Sequence, residues 1–240
     1  MAHHQKHRGA NPKDHKLFTE INIQKLKEAI YDLSLLLSRE YPLRASLKLV
    51  GDKYKLTERQ RLALTHSVCS EQARQSRAQK HVPLKALQGE KILVDGYNLL
   101  ITTESILSNG PVFRGLDQCY RDIASIHGTY RKVEETLPAL KLIGQVIQMY
   151  QPLHICWVLD APISNSGRLR KVMEAISVEY NWNWEVLIEN NPDRYIAEHN
   201  ACVAVTSDSW ILDNVKKWTN PVPEIIRQGN PDAWIIHLDS

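Results

Sequence analysis

The sequence predicts a three-layer α/β/α domain with a five-stranded, mainly parallel sheet, preceded by a small all-α domain. From Lys91 onward, short continuous apolar runs recur, as is typical of strands buried on both faces of a parallel sheet. Helical patterns separate these runs. Near the N-terminus, apolar residues at spacings of three and four predict helices instead.

The chain divides into a tail (1–21), a helical N-terminal domain (22–88) and a sheet domain (89–240). The tail holds four of the ten histidines and little apolar content, so we expect it to be disordered, basic and histidine-rich. Asn22 is the expected N-cap of a helix that ends before Tyr41 and Pro42. Thr57 and Gln60 predict a capping box for a second helix, which reaches Cys69.

Five apolar runs are the expected strands of the sheet: 92–94, 154–159, 185–188, 201–205 and 234–238. A long helix lies between the first two runs, and its apolar face consists of Val133, Leu137, Leu140 and Ile147. The next crossover, from about Arg168 to Glu179, is also helical. Strands joined by helical crossovers make a parallel sheet covered on both faces.

The net charge of +3 hides an asymmetry between the two parts of the chain. Residues 1–90 contain 17 Lys and Arg against 9 Asp and Glu, whereas residues 91–240 contain 13 against 18. A basic front end suits a polyanionic partner, although solvated basic helices alone would give the same counts. The basic residues that could contact phosphates are Arg59, Arg61, Arg74, Arg77 and Lys80.

No apolar run approaches the roughly 20 residues that cross a bilayer, and the N-terminus lacks the apolar stretch of a signal peptide. We therefore expect a cytoplasmic protein with no membrane partner. The four cysteines form no CxxC pair, which favours buried, reduced thiols.

Three of the five runs lead into an aspartate: Asp95, Asp160 and, after Thr206 and Ser207, Asp208. Since ligands bind beyond the carboxyl ends of parallel strands, these side chains should converge on one edge of the sheet. Three clustered anions predict Mg²⁺ or Mn²⁺, hard cations that take oxygen ligands. Each aspartate could instead cap the helix that follows it.

Several other residues are candidates for the same site. Glu104 and Asp213 are the next metal ligands to consider. Asn98 could hold Asp95 or a phosphate oxygen, or serve only the turn. Ser164, Ser166 and Arg168 precede or begin a helix, where they could bind phosphate or only cap the helix. The histidines His127, His154, His199 and His237 have no paired ligand spacing, so we interpret them as structural.

The stretch VDGYNLL from Val94 to Leu100 resembles the first-strand motif of the NYN and YacP-type branch of PIN-like ribonucleases. AVTSD, ending at Asp208, is similar to the late PIN motif. Together with the helical N-terminal domain, VDGYNLLITTES and LDAPISNSG resemble the family of domain of unknown function 434 with its PIN-like C-terminal partner. This resemblance covers nearly everything from residue 23 onward.

The resemblance implies metal-dependent hydrolysis of RNA, with Asp95, Asp160 and Asp208 as catalytic metal ligands. Two divalent ions about 4 Å apart would activate water and stabilise the leaving oxygen. Trp210 stands where many PIN nucleases have a further acid, so a catalytically weak RNA-binding adaptor is the alternative. A phosphatase or nucleotide-processing enzyme is a third hypothesis. RNA is the implied partner, and a homodimer that forms a substrate groove is a further hypothesis.

Overall fold

The helical N-terminal region consists of consecutive helices, several of which begin at a residue whose side chain caps the first turn. The computed structural model describes residues 6–124 and 130–239. The helices of this region are α1 (Asp14–Leu17), α2 (Glu20–Ser38), α3 (Leu43–Lys53), α4 (Glu58–Ser67) and α5 (Glu71–Lys80).

The local signals explain most of these boundaries. The capping box of Thr57 and Gln60 is present and begins α4, which confirms that prediction. Thr19, rather than Asn22, caps α2, because its hydroxyl accepts a hydrogen bond from the Asn22 amide. The helix predicted to reach Cys69 is two helices, since Ser70 caps a new helix, α5.

The described part of the N-terminal tail, which we expected to be disordered, is packed against the rest of the protein. The Arg8 and Asp14 side chains are both buried. Arg8 donates to Glu104 at 2.7 Å, and Arg59 pairs with Asp14. Because long-range ion pairs hold these residues, composition alone gave the wrong prediction for the tail beyond residue 5. Residues 1–5 and His127 lie outside the described residues.

The sheet domain follows a 3-10 turn at Leu84–Leu87. Its elements in chain order are β1 (Lys91–Asp95), α6 (Gly96–Leu107), β2 (Val112–Arg114), β3 (Tyr120–Asp122), α7 (Thr136–Gln148), β4 (His154–Asp160), α8 (Ser166–Glu179), β5 (Trp184–Glu189), α9 (Pro192–Glu198), β6 (Val203–Val205), α10 (Ser209–Asn214), β7 (Trp218–Thr219), α11 (Val222–Gly229) and β8 (Ile235–His237).

The predicted five-stranded parallel sheet is confirmed. Its order is β5-β4-β1-β6-β7, and every neighbouring pair of strands is parallel. Alternate residues of β1 belong to different cores: Ile92 and Val94 pack with α6, α7, α8 and α11, whereas Leu93 packs with α9 and α10. The sheet is therefore the middle of three layers.

One of the five predicted strands was assigned to the wrong sheet. Residues 234–238 contain β8, which pairs with β2 in a separate sheet of order β3-β2-β8. The fifth strand of the main sheet is β7, which has two residues, Trp218 and Thr219. A strand of two residues leaves no apolar run to detect, so tertiary pairing alone defines it.

The small sheet joins the helical region to the sheet domain. The core under α2 and α4 includes Phe113, Ile123, Ile236 and Leu238 from this sheet and its flanks. The two regions thus share one buried core. No helix in the described ranges has the length and apolar character to cross a membrane. All four cysteines are unpaired, as expected; Cys69, Cys119 and Cys156 are buried, whereas Cys202 is half-buried.

Candidate functional site

The strand order of the main sheet places a crevice at the carboxyl ends of β1 and β6. The chain moves from β1 to β4 and β5 on one side, then returns to β6 on the other side of β1. In open parallel sheets, ligands bind at the point where the strand order reverses in this way. Asp95 ends β1, and Asp208 follows β6 by three residues.

Asp95 and Asp160 face the same side of the sheet. Asp95 pairs in register with Val158, and Asp160 lies two residues beyond Val158 on β4. Because side chains alternate along a strand, this spacing returns Asp160 to the face of Asp95. Gly96 permits the turn from β1 into α6, since a Cβ atom there would lie 2.9 Å from the Val158 carbonyl oxygen.

Thr206 connects the first and last of the predicted acids. Its hydroxyl donates to Oδ2 of Asp95 at 2.7 Å and accepts from the Asp208 amide at 2.9 Å. Asp208 in turn caps α10, where its Oδ1 accepts from the Ile211 amide at 3.0 Å. The cap leaves Oδ2 of Asp208 without a hydrogen bond in the described part of the chain, so capping and ligand binding are compatible.

Asn98 fixes the loop before Asp208 rather than Asp95 itself. Its Oδ1 accepts from the amide of Ser207 at 3.1 Å and from the hydroxyl of Ser207 at 2.7 Å. Its Nδ2 donates to no group of the described residues. Asn98 therefore positions the late strand end and keeps a donor that a phosphate oxygen can use.

The structure brings a fourth acid, Asp193, to the edge. Asp193 lies in the first turn of α9, which follows β5, and Asn191 caps this helix through the Arg194 amide. The sequence signal was the apolar run 185–188, which is followed by Glu189 and then by Asn-Asn-Pro-Asp, so that Asp193 comes five residues after the run. The cap and Pro192 move the carboxylate a few residues along the chain, and for this reason sequence reasoning missed it.

The pKa values of Asp95, Asp160 and Asp193 are raised, chiefly because these carboxyl groups are desolvated. Burial raises the pKa of Asp95 well above its usual range, and Asp208, Asp193 and Asp160 raise it further against the opposing hydrogen bond from Thr206. Burial, then Asp208 and Asp160, raise the pKa of Asp193 to about 6. Burial also raises the pKa of Asp160. The cluster therefore lacks the positive charge that would favour its ionised form.

This donor set has the chemistry of a site for Mg²⁺ or Mn²⁺, since it consists of carboxylate oxygens and no described Lys, Arg or His forms an ion pair with it. A preformed cage is not present: among the described residues, no group of three or more His, Cys, Asp or Glu side chains is gathered at metal-ligand spacing. The donors fit a divalent cation in kind.

Glu104, predicted as a further metal ligand, lies away from the edge. It is eight residues into α6, roughly 12 Å along the helix from Gly96. It is fully buried, and it accepts hydrogen bonds from Arg8, Tyr130 and Thr136. Arg8 neutralises Glu104, so this acid anchors the N-terminal segment.

Asp213, the other predicted ligand, is also paired elsewhere. Its two carboxylate oxygens accept from the Arg77 guanidinium at 2.7 and 2.9 Å. Arg77 also pairs with Asp117 at 2.6 Å, and Asp117 pairs with Arg121. Asp213 therefore belongs to a junction cluster, which we define as Arg77, Asp117, Arg121 and Asp213.

The three predicted phosphate-binding residues at α8 differ in their surroundings. The buried Ser166 hydroxyl contacts the Asp160 carbonyl oxygen at 2.6 Å and the Tyr97 hydroxyl at 2.7 Å, so it supports the strand end. Ser164 and Arg168 are exposed. Only these two remain accessible to a substrate. Trp210 is 49% exposed at the second residue of α10, beside Asp208.

The basic residues of the helical region are engaged within the protein. Arg59 pairs with Asp14, Arg61 with Asp52, and Arg74 with Glu71. Arg77 is buried, and Lys80 donates to carbonyl oxygens at the end of α10. All five of the basic residues that could contact phosphates thus contact groups of the protein itself.

The fold and the site define an α/β protein with a four-carboxylate edge and a helical region attached through a shared core. The chain belongs to the family described as Domain of unknown function (DUF5616), whose model matches residues 84–224. Residues 25–80 match the model described as Protein of unknown function (DUF434), which confirms that part of the resemblance.

A relative of similar length accompanies these family matches. The Methanocaldococcus jannaschii protein described as Uncharacterized protein MJ0935 is 30% identical over 212 residues, which cover 86% of this chain and 97% of that protein. The similarity thus includes the helical region and the sheet domain together. No solved structure matches the chain significantly.

Proposed function

We propose that this protein is a PIN-like endoribonuclease that depends on Mg²⁺ or Mn²⁺. One observation carries the proposal: Asp95, Asp160, Asp193 and Asp208 follow the carboxyl ends of neighbouring parallel strands, with raised pKa values at the first three and no ion-paired cation among the described residues. Carboxylates clustered at such an edge are stabilised when a divalent cation binds to them.

When bound there, a divalent cation would polarise a phosphoryl oxygen and lower the pKa of a water molecule. The four carboxylates would hold it, and its positive charge would favour the ionised form of Asp95, whose pKa burial raises. Thr206 keeps Asp95 in place, and the Nδ2 donor of Asn98 is available to orient a phosphate oxygen.

The resemblance of VDGYNLL and AVTSD to PIN-like motifs supports RNA as the substrate. The arginines of α4 and α5 do not add to this support, because Arg59, Arg61, Arg74 and Arg77 are paired with carboxylates of the protein itself. The alternative function, RNA binding without turnover, was motivated by Trp210 and the missing fourth acid. Asp193 supplies a fourth acid, and we therefore favour the enzyme.

The test is cleavage of a mixed single-stranded and structured RNA pool with Mn²⁺, with Mg²⁺ or with EDTA. We expect cutting with metal and none with EDTA. Asp95→Asn, Asp193→Asn and Asp208→Asn should each lower the rate by about 100-fold or more, since loss of even an outer partner of a metal ligand lowers activity roughly 10–100-fold. Asp232→Asn, at an exposed position away from the edge, is the matched control and should cut normally.

Two results would contradict the proposal. A folded wild-type protein that binds RNA but cuts nothing with either metal would establish the adaptor function. Cleavage that survives all three substitutions at the edge would place the activity elsewhere or in a contaminant.

A further inference from the structure

A cleft of about 820 Å³ lies between the helical region and the sheet domain, and of the four acids at the edge Asp208 lines it. Its sheet-domain wall includes Asn98, Ser207 and Asp208, and its helical wall is formed by α2, α4 and α5. One residue of the helical wall is a histidine, His66, which sequence analysis did not single out. Side chains from both family segments therefore line one cleft.

The hydrogen bonds of His66 define the role of each ring nitrogen. Nδ1 contacts the backbone carbonyl oxygen of Asp122 at 2.8 Å. A carbonyl oxygen can only accept, so Nδ1 carries the proton, and in the uncharged ring Nε2 is an acceptor. Nε2 has no hydrogen-bond partner among the described residues. His66 thus offers an unused acceptor in the lining of the cleft.

The backbone around His66 is held firmly, which makes its position in the cleft well defined. Leu116 donates to the Ser67 carbonyl oxygen at 2.8 Å, and a Cβ atom on Gly115 would lie 2.7 Å from the same oxygen. Only glycine allows α4 to approach the β2–β3 turn so closely. The imidazole is therefore attached to a closely packed part of the backbone.

Arg121 ties the two walls of the cleft together at this point. Its Nη1 donates to the His66 carbonyl oxygen at 3.0 Å, and its Nε donates to the Ser207 carbonyl oxygen at 2.6 Å. One guanidinium group spans the gap between the histidine and the residue before Asp208. His66 consequently stands close to the late strand end that carries Asp208.

The unused polar atoms of the cleft match the backbone of RNA. Phosphate oxygens are acceptors, and the Nδ2 donor of Asn98 can serve them. The ribose 2′-hydroxyl is the donor that distinguishes RNA from DNA. An imidazole nitrogen that can only accept is suited to this hydroxyl.

We propose that the cleft binds the RNA strand and that His66 Nε2 accepts a hydrogen bond from a ribose 2′-hydroxyl beside the scissile phosphate. This inference rests on the proposed function and adds to it. The helical region then contributes a specificity-determining residue to a site whose carboxylates come from the sheet domain. His66 acts by selecting RNA over DNA.

The test compares kcat/KM for an RNA and for a DNA of the same sequence, and for RNAs with a single 2′-deoxy substitution. His66→Asn keeps an amide donor in the place of Nδ1, where it can still reach the Asp122 carbonyl, but has nothing in the place of Nε2. His66→Gln places an amide oxygen near the position of Nε2. The pair therefore separates the structural contact from the substrate contact.

We expect wild-type protein to favour RNA, and His66→Asn to reduce the ratio of RNA to DNA cleavage by about 10-fold, the size of one good hydrogen bond. One 2′-deoxy position should reproduce this loss in the wild type and have little further effect in His66→Asn. His66→Gln should retain part of the preference. Circular dichroism and thermal unfolding should match the wild type in both variants, which would show that they are folded.

Three results would overturn the inference. If His66→Asn leaves the ratio unchanged, the cleft histidine does not contact the 2′-hydroxyl. If His66→Asn lowers RNA and DNA cleavage equally, its role is structural or general. If the wild type cuts neither nucleic acid with any metal, the proposed function itself fails, and the inference fails with it.

Discussion

Two groups of charged residues lie a short distance apart and show opposite electrostatics. In the junction cluster, burial alone would raise the pKa of Asp117, but Arg121 and Arg77 outweigh it and lower the pKa to about 2. At the acidic edge, burial and neighbouring carboxylates act in the same direction, and the pKa of Asp193 rises to about 6. The same side chain is thus ionised easily in one place and with difficulty in the other.

The difference teaches what each group does for the protein. In the junction cluster, guanidinium groups balance the charge of the buried carboxylates. These ion pairs join α5 to α10 and to the β2–β3 turn. Buried carboxylates without partners destabilise the fold until a cation arrives. We therefore expect the functional site at the acidic edge, where negative charge is not balanced. Its ligand should supply positive charge, as Arg77 and Arg121 do in the junction cluster.

The largest expected effect is the removal of Arg77 from the junction cluster. Arg77→Met should lower the free energy of unfolding by about 3–5 kcal/mol, because it leaves Asp117 buried with one partner fewer. Arg74→Met, three residues earlier on α5, removes only an exposed pair with Glu71 and should lower it by less than about 1 kcal/mol. Denaturant unfolding of both variants measures the contrast, and equal losses would show that the junction is not a stabilising unit.

The same substitution should have opposite effects in the two groups. Asp117→Asn should destabilise the protein by about 3 kcal/mol, because Arg77 and Arg121 lose their shared carboxylate. Asp95→Asn, measured in EDTA at pH 7.5, should leave stability unchanged or raise it by up to about 2 kcal/mol, because it removes an unpaired buried acid. A strong loss with Asp95→Asn in EDTA would mean that the edge is balanced by protein groups.

Without a divalent cation, the acidic edge should make the stability of the protein depend on pH. The pKa of Asp193 is about 6 in the folded protein and about 3.9 in an unfolded chain, so the folded state binds more protons between these values. Without metal, stability should therefore fall as the pH rises from about 4 to about 6, and Asp193→Asn should flatten this fall.

Adding Mg²⁺ or Mn²⁺ at about 100 times its Kd should raise the free energy of unfolding by about 2.7 kcal/mol at pH 7.5, and by less at pH 5 where protons compete. Thermal unfolding across this pH range measures both effects. A metal-induced increase that is the same at pH 5 and pH 7.5, or that survives Asp95→Asn, would contradict a carboxylate site at this edge.

The smallest expected effect separates the two roles of Asp208. Asp208→Asn should change stability by less than about 0.5 kcal/mol, because asparagine caps helices as well as aspartate does, whereas Asp208→Ala should lose about 1 kcal/mol with the cap of α10. Both variants should lose the stabilisation by Mn²⁺. If Asp208→Asn keeps the full response to metal, Asp208 is a helix cap and no more.

Local signals predicted a large part of this fold. The capping box of α4, the α8 crossover and four of the five main strands could be predicted, because hydrogen bonds and periodicity within about ten residues determine them. The family match to residues 25–80 agrees with the resemblance found in the sequence. Strand ends also led directly to Asp95, Asp160 and Asp208.

Pairings between distant segments could not be predicted from the sequence. The two-residue strand β7 exists because β6 lies beside it, and β8 joins β2 rather than the main sheet. Glu104 and Asp213 were plausible ligands until Arg8 and Arg77, far away in sequence, proved to neutralise them. Which acid is free depends on the charge that lies next to it, and sequence spacing does not contain that information.

The sequence by itself determined the parallel sheet and three of the four acids at its edge, because apolar runs and the residues that end them are local properties. Only the tertiary structure decided the fourth acid, the place of His66 and the joining of the helical region to the sheet domain. Each of these depends on groups brought together across many residues by packing of one shared core. Burial and counter-charge, which set the pKa values of the aspartates, are consequences of that packing.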